Sequence, residues 1–429
     1  MNDQAAARET RLVGWLTFFY LVSLLFIARF ETFNFFVNRL VSPLMVLFVI
    51  YKYINRPVKL PSEIYLFFLF VLWATSGVVV AANLELFWKY YRLIFQVGIL
   101  FLVVAFLVSR YGILNYVLLG FLATGMLFFL SSVFTGDIGT SLSEVDETYR
   151  LATIAKNANG YAYALLLAEM AVFYFLGRVR RPTMKLLLFA VIVPLLLGIV
   201  FSASRKAYLT FIVFAILYTA YYAREKYRSL IVVTVALILT SAVLYYVTDY
   251  VITNSFLGKR FQELQDVEKL TYGNNRYWLY IDGFKMLAHS PIMGVGLGQF
   301  EVLSSTQGYA HSDFMEVAAT TGLVGLLIYG AVYFILLRRV TIARRYSPRE
   351  EQVYEMHFIQ ATIISLVMMA FGRPNFLDIF TMPLIAAFVG YSFYLLSRYR
   401  LMRSESSPAW QAALPRAGAP LPGEPTAVK

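Results

Sequence analysis

The chain has 429 residues, of which 59% are hydrophobic and only 14% charged, with a formal net charge of +12 and no cysteine. This composition excludes an ordinary soluble protein of two or three domains. The lack of cysteine excludes disulfides, thiol catalysis and cysteine metal sites.

Apolar runs of about 20 residues recur along the chain, the length that a hydrocarbon core of roughly 30 Å requires. They lack strand-like alternation, which favours helices over a barrel. Twelve runs lie near residues 12–28, 35–53, 63–82, 91–109, 113–134, 157–176, 186–203, 207–223, 230–248, 318–337, 354–372 and 376–397. The expected fold is an all-α polytopic membrane protein with about twelve transmembrane helices. Residues 1–403 would form a single transmembrane domain that includes a long loop over 249–317. The tail over 404–429 is rich in Pro, Ala and Gly and is expected to be disordered.

The basic excess does not point to nucleic acid, because its distribution follows helix ends. Lys52, Arg56 and Lys59 lie in the second loop, Arg110 in the fourth, and Arg178, Arg180, Arg181 and Lys185 in the sixth. Arg224, Lys226 and Arg228 lie in the eighth, and Arg338, Arg339, Arg344, Arg345 and Arg349 in the tenth. The inside-positive rule then puts both termini and the even loops in the cytoplasm. The odd loops would be external, including an acidic one over 135–156 and the long one over 249–317.

The polar motifs collect on that external side. Arg150 precedes Asn157 and Asn159, which flank the start of the sixth run. Asn is a favoured helix cap. Its amide also suits sugar hydroxyls, and a helix N-terminus attracts anions. The seventh run ends in Ser202-Ala-Ser204-Arg205-Lys206. An arginine at a membrane edge either snorkels to the interface or meets an anionic ligand, for which its planar fork suits phosphate. In the long loop, Arg276 to about Ala288 has the pattern of an amphipathic helix ended by His289-Ser-Pro291. Arg276 falls in its first turn, where dipole logic does not favour a cation.

Gly294, Gly296 and Gly298 follow. They lack the spacing and strand–helix context of a dinucleotide fingerprint and are expected instead to permit a tight backbone path. His311 stands just before the next membrane helix, which Ser312 or Asp313 would cap, with Glu316 in capping-box relation to Asp313. A neutral imidazole near pH 7 is a standard general base. His357 falls at the cytoplasmic end of the eleventh run and cannot join His289 and His311 in a metal site. No P-loop is present.

In order, Asn157-Ala-Asn159, Ser202-Ala-Ser204-Arg205, Arg276-Tyr-Trp278 leading to Ser290-Pro291, Gly294-Val-Gly-Leu-Gly298-Gln-Phe300, Ala310-His311-Ser-Asp-Phe-Met-Glu316 and Gly322-Leu-Val-Gly325 resemble the signature of the O-antigen ligase and polymerase superfamily. One departure is Ser312, where many ligases have Asn after the histidine. The resemblance implies a GT-C-like membrane glycosyltransferase in a bacterial inner membrane, with short helices in a large periplasmic loop between the ninth and tenth spans. Such enzymes take a glycan linked to undecaprenyl diphosphate and transfer it, without metal or other cofactor, to an acceptor hydroxyl on lipid A-core or on a growing glycan. By position, Arg205 and Arg276 match the arginines associated with the donor diphosphate, and His311 matches the proposed general base. Arg150, Asn157, Asn159 and Asp313 are further candidates for substrate binding. A transporter or flippase of polysaccharide precursors fits the span count equally well, but predicts charges along a transmembrane path. Here they collect on one face, and Glu169 is the clear mid-helix acid. A non-catalytic membrane partner in polysaccharide assembly is a third reading.

Overall fold

A computed structural model describes residues 3–55, 57–135, 157–227, 230–254, 275–347, 349–372 and 374–404. Arg150, most of the acidic fifth loop, residues 255–274 and the tail from 405 lie outside the described residues.

Among the described residues the architecture is helical throughout. The N-terminal part holds α1 (Asp3–Leu25), a 3-10 turn (Ile27–Arg29), α2 (Glu31–Phe36), a π-turn (Val37–Val41) and α3 (Ser42–Asn55). Next come α4 (Ser62–Thr75), α5 (Leu84–Tyr111), α6 (Leu114–Phe134), α7 (Ala158–Arg178), α8 (Pro182–Phe201), α9 (Arg205–Tyr227) and α10 (Leu230–Asn254). Two short helices, α11 (Asn275–His289) and α12 (Gln299–Leu303), precede α13 (Asp313–Tyr346), α14 (Glu350–Ala370) and α15 (Thr381–Ser404).

Each of the twelve apolar runs is helical. Among the described residues, ten segments are long and apolar enough to cross a membrane, from Gln4–Arg29 to Glu350–Ala370. The helices α10 and α15 stand outside that set, so twelve is not the number established. The chain is a polytopic membrane protein.

Local chemistry explains several boundaries. Asn83 caps α5, its Oδ1 accepting from Leu86 N at 2.9 Å, and Gly112 ends that helix at φ 65°. Pro182 opens α8, where its missing N–H leaves no bond unmade. The helices α8 and α9 do not fuse, because the chain turns over Ser202–Ser204 with Ala203 in the left-handed region at φ 52°.

The core lies where α5, α7, α14 and α15 meet. On α7, residues 161–172 are all buried, and on α15 residues 382–389 are almost wholly so. A helix apolar all round belongs in the middle of a bundle. Close approach of α6 and α7 rests on small residues: a Cβ on Gly125 would lie 2.2 Å from the Ala168 Cβ. Outer helices keep apolar faces exposed, as Leu186, Leu187 and Phe189 on α8 and Ile238 and Leu239 on α10 show. Lipid is the solvent such faces require.

The two ends of the bundle differ. At the basic end, Glu63 at the start of α4 meets Arg339 of α13 at 2.6 Å, and Lys52 meets Glu9 at 2.7 Å. Arg178 pairs with Glu355, and the His357 ring stacks on Tyr221 and faces Glu225 at 3.4 Å. The other end carries Asn157, Arg205 and the segment from α11 to the start of α13.

Candidate active site

The segment over residues 275–325 folds around its own small apolar cluster. Leu279 and Met286 of α11 pack with Val295, Phe300, Ala310, Met315 and Ala319. Asp282 accepts from Ser305 N at 2.8 Å and from its Oγ at 2.6 Å, which holds the chain leading to His311. Tyr280 donates to the Phe371 carbonyl at 3.0 Å and ties α11 to the end of α14. Helix α11 is thus the helix expected from the pattern after Arg276.

The glycines have the backbone role expected of them. Gly294, Gly296 and Gly298 all lie at positive φ, 70°, 98° and 73°. They lay the chain against a break in α13 at Gly322, where φ is 70° and ψ −177°. At that break the Ala319 and Thr320 carbonyls accept from Val295 N at 2.9 Å and Gly296 N at 3.0 Å. Leu323 N donates to the Pro291 carbonyl at 2.8 Å, and Trp73 Nε1 to the Thr321 carbonyl at 2.8 Å. A Cβ on Gly322 would stand 2.0 Å from the Ile292 carbonyl oxygen. Only glycine permits this approach. Gln299, fully buried, then fastens the turn to the start of α5. Its Oε1 accepts from Asn83 N at 2.7 Å and its Nε2 donates to the Asn83 carbonyl at 2.9 Å.

His311 occupies the left-handed region at φ 54°. Histidine is one of the few non-glycine residues enriched there. Its ring lies with its centroid 4.0 Å from that of Tyr309. Of the two expected caps, Ser312 and Asp313, the structure uses Ser312, and Glu316 does not close a box on Asp313. Ser312 is the N-cap, its Oγ accepting from Met315 N at 3.4 Å, and Glu316 Oε2 accepts from Ala310 N at 2.7 Å. The reversal at His311 brings the Ala310 N–H over the first helical turn, within reach of Glu316.

Asp313 is only 1% exposed and bonds to protein groups: Asn375 N at 2.6 Å, Phe376 N at 3.0 Å and Tyr329 Oη at 2.7 Å. It ties the start of α13 to the connection between α14 and α15 and does not line the cleft described next.

A cleft of about 360 Å³ opens beside His311. Asn157 and Asn159 line it with His311, so the structure brings these three expected residues together. Asn157 is also the N-cap of α7, its Oδ1 accepting from Asn159 N at 2.9 Å. Asn159 Oδ1 accepts from Ser204 Oγ at 3.1 Å, which joins the second motif to the first. Arg205 follows directly as the first residue of α9, and the residue from this junction that lines the cleft is Lys206. Arg276 lies in the first turn of α11, and its side chain lies outside the described residues. Arg29, Tyr90, Tyr309, Glu316 and Asp378 complete the polar lining.

Two of the motifs, Asn157-Ala-Asn159 and the segment from His311 to Glu316, therefore line one cleft at one end of the bundle, and Lys206 lines it beside the Ser204-Arg205 motif. Residues 190–330 match the family described as O-antigen ligase. The match supports the O-antigen ligase and polymerase superfamily that the motifs resemble, and with it a glycosyltransferase-like ligase or polymerase activity. No curated protein matches the chain. The ligase-family segment contains Arg205, Lys206, Arg276 and His311. Asn157, Asn159 and Arg29 come from outside it and reach the cleft through the fold.

Arg29, Tyr90 and Asp378 escaped the sequence reading. Arg29 had a signal: it is a cation at the end of the first run that the inside-positive reading expects to be external, against that trend. Tyr90 and Asp378 had none. Among the described residues, no group of three or more His, Cys, Asp or Glu is arranged to hold a metal ion. The cleft offers a histidine for proton transfer, amides for hydroxyls and cations for an anion.

Proposed function

We propose that this chain is a glycosyltransferase that moves an undecaprenyl-diphosphate-linked glycan onto an acceptor hydroxyl at the periplasmic face of a bacterial inner membrane. The acceptor is lipid A-core, as for a ligase, or a growing glycan, as for a polymerase. The observation that carries the reading is His311, held in a left-handed turn and lining a polar cleft with Asn157 and Asn159 at the end of a membrane bundle. Backbone in sparsely populated regions concentrates at functional sites.

In this mechanism a neutral His311 nitrogen accepts the proton of the acceptor hydroxyl as its oxygen attacks the anomeric carbon. The bond from that carbon to the diphosphate oxygen breaks with inversion, and its electron pair leaves with the polyprenyl diphosphate. Arg205 and Arg276 hold that leaving group. Prearranged positive charge counts most as negative charge develops. Asn157 and Asn159 position sugar hydroxyls. Both termini lie in the cytoplasm.

The test is glycan transfer by the purified chain from an undecaprenyl-diphosphate-linked donor. His311→Ala, expressed at wild-type level, is expected to lose at least about a hundredfold in rate, as removal of a general base does. Near-wild-type transfer would remove the base assignment. Deletion of the gene separates the acceptors: unligated lipid-linked chains mean ligase, and core bearing a single repeat unit means polymerase. An unchanged lipopolysaccharide profile would overturn both.

A further inference from the structure

A polyprenyl diphosphate substrate joins a polar head to a long apolar tail. Its tail-proximal phosphate has to sit where a polar cleft meets an apolar groove. Such a junction lies at the end of α1. Next to the cleft is a largely apolar groove of about 480 Å³, lined by residues such as Leu24, Val97 and Ile379, with Asn38, Ser42 and Gln96 as its polar members. One stretch of chain borders both spaces. Leu377, Asp378 and Phe380 line the cleft, whereas Ile379 lines the groove. On the α1 side, Leu24 lines the groove and Arg29 the cleft. The Arg29 guanidinium carbon stands 5.3 Å from the centroid of the Phe380 ring, so the cation lies at this border.

The geometry points to Arg29 as the residue that binds the tail-proximal phosphate of a polyprenyl diphosphate lipid, with the isoprenoid tail in the adjoining groove. The assignment deepens the transferase reading and rests on it for the identity of the lipid. A guanidinium presents a planar fork to phosphate oxygens. A largely apolar groove is a matching surface for an isoprenoid chain. Arg29 lies outside the ligase-family segment, so the match does not assign it a role.

The experiment uses the full chain in phosphatidylcholine nanodiscs, titrated with undecaprenyl diphosphate. Arg29→Gln is expected to weaken binding about tenfold or more, the scale of one charge-assisted contact. Arg29→Lys should recover part of the loss, because the charge remains. Phe380→Leu removes the buried ring beneath the cation but not the cation, and should weaken binding less than Arg29→Gln does. Competition by phosphatidylglycerol distinguishes the source of the phosphate and should not respond to Arg29→Gln. The assignment is overturned if Arg29→Gln binds undecaprenyl diphosphate like wild type, or if phosphatidylglycerol competition weakens equally. It also falls if Arg29→Lys and Phe380→Leu are both as weak as Arg29→Gln, the pattern of a purely structural contact. Transfer is measured in parallel. Arg29-dependent binding without glycan transfer by wild type would refute the transferase reading and leave the Arg29 assignment standing. Transfer with Arg29-independent binding would refute the assignment alone.

Discussion

The two ends of this helix bundle satisfy their carboxylates differently. At the basic end, Glu9, Glu63 and Glu355 meet Lys52, Arg339 and Arg178. At the cleft end, Asp313 accepts from two backbone N–H groups and a tyrosine, and Glu316 accepts from the backbone N–H of Ala310. Side-chain pairing at the first end locks helices to each other. Backbone donors at the second hold acids in place without drawing on the cations that line the cleft. A buried ion pair is sensitive to the loss of one member, because the other is left charged without compensation. A cleft lined by a histidine, amides and cations is sensitive in activity instead.

Substitutions at the two ends should therefore separate activity from stability. The largest effect expected is His311→Ala, with transfer down at least about a hundredfold and no shift in the melting temperature of the detergent-solubilised protein. A matching loss of stability would make His311 a structural residue and erase the contrast. Arg339→Ala is the opposite case. Glu63 is fully buried and its partner only 12% exposed, so the loss should be about 3–5 kcal/mol, read as a lower melting temperature with transfer per folded molecule retained. Unchanged melting would mean that the basic end is not held by its ion pairs.

Gln299→Ala should fall between these. It leaves the Asn83 N–H and carbonyl without their side-chain partner and should cost about 1–3 kcal/mol, with a fall in transfer as the glycine turn loosens against α5. A change in transfer without one in stability would place Gln299 closer to the chemistry than its burial implies. Arg180→Ala should have the smallest effect. Its pair with Glu351 at 2.9 Å is 89% and 55% exposed, and exposed pairs contribute little. A measurable drop in melting temperature there would show that pairing at the basic end extends beyond the buried set.

Much of this contrast was legible in the chain. The helices follow from apolar runs whose length matches a bilayer. The glycines at 294, 296 and 298 were readable as a tight backbone path because side chains are strained at positive φ. Their partner was not, since the break at Gly322 exists only once the turn packs against α13. Asn157 and Asn159 were visible as a helix start. The bond from Ser204 to Asn159 was not, because it spans two membrane helices. Asp313 looked like a cap or a ligand and serves instead as a tie to residues 375 and 376, a contact between segments far apart in sequence.

The sequence by itself determined a membrane-embedded helical chain, the asymmetry of its charges and the residue types available for chemistry. These are properties of composition and period, which act locally. Only the tertiary structure decided which polar groups share a cleft. It placed Arg29 of the first span beside the start of α7, the Lys206 junction and His311, and it turned Asp313 away into the fold. The physical reason is that no local rule links these segments. Their meeting depends on how twelve helical runs pack, and close packing of small residues such as Gly125 against Ala168 is what brings such helices together.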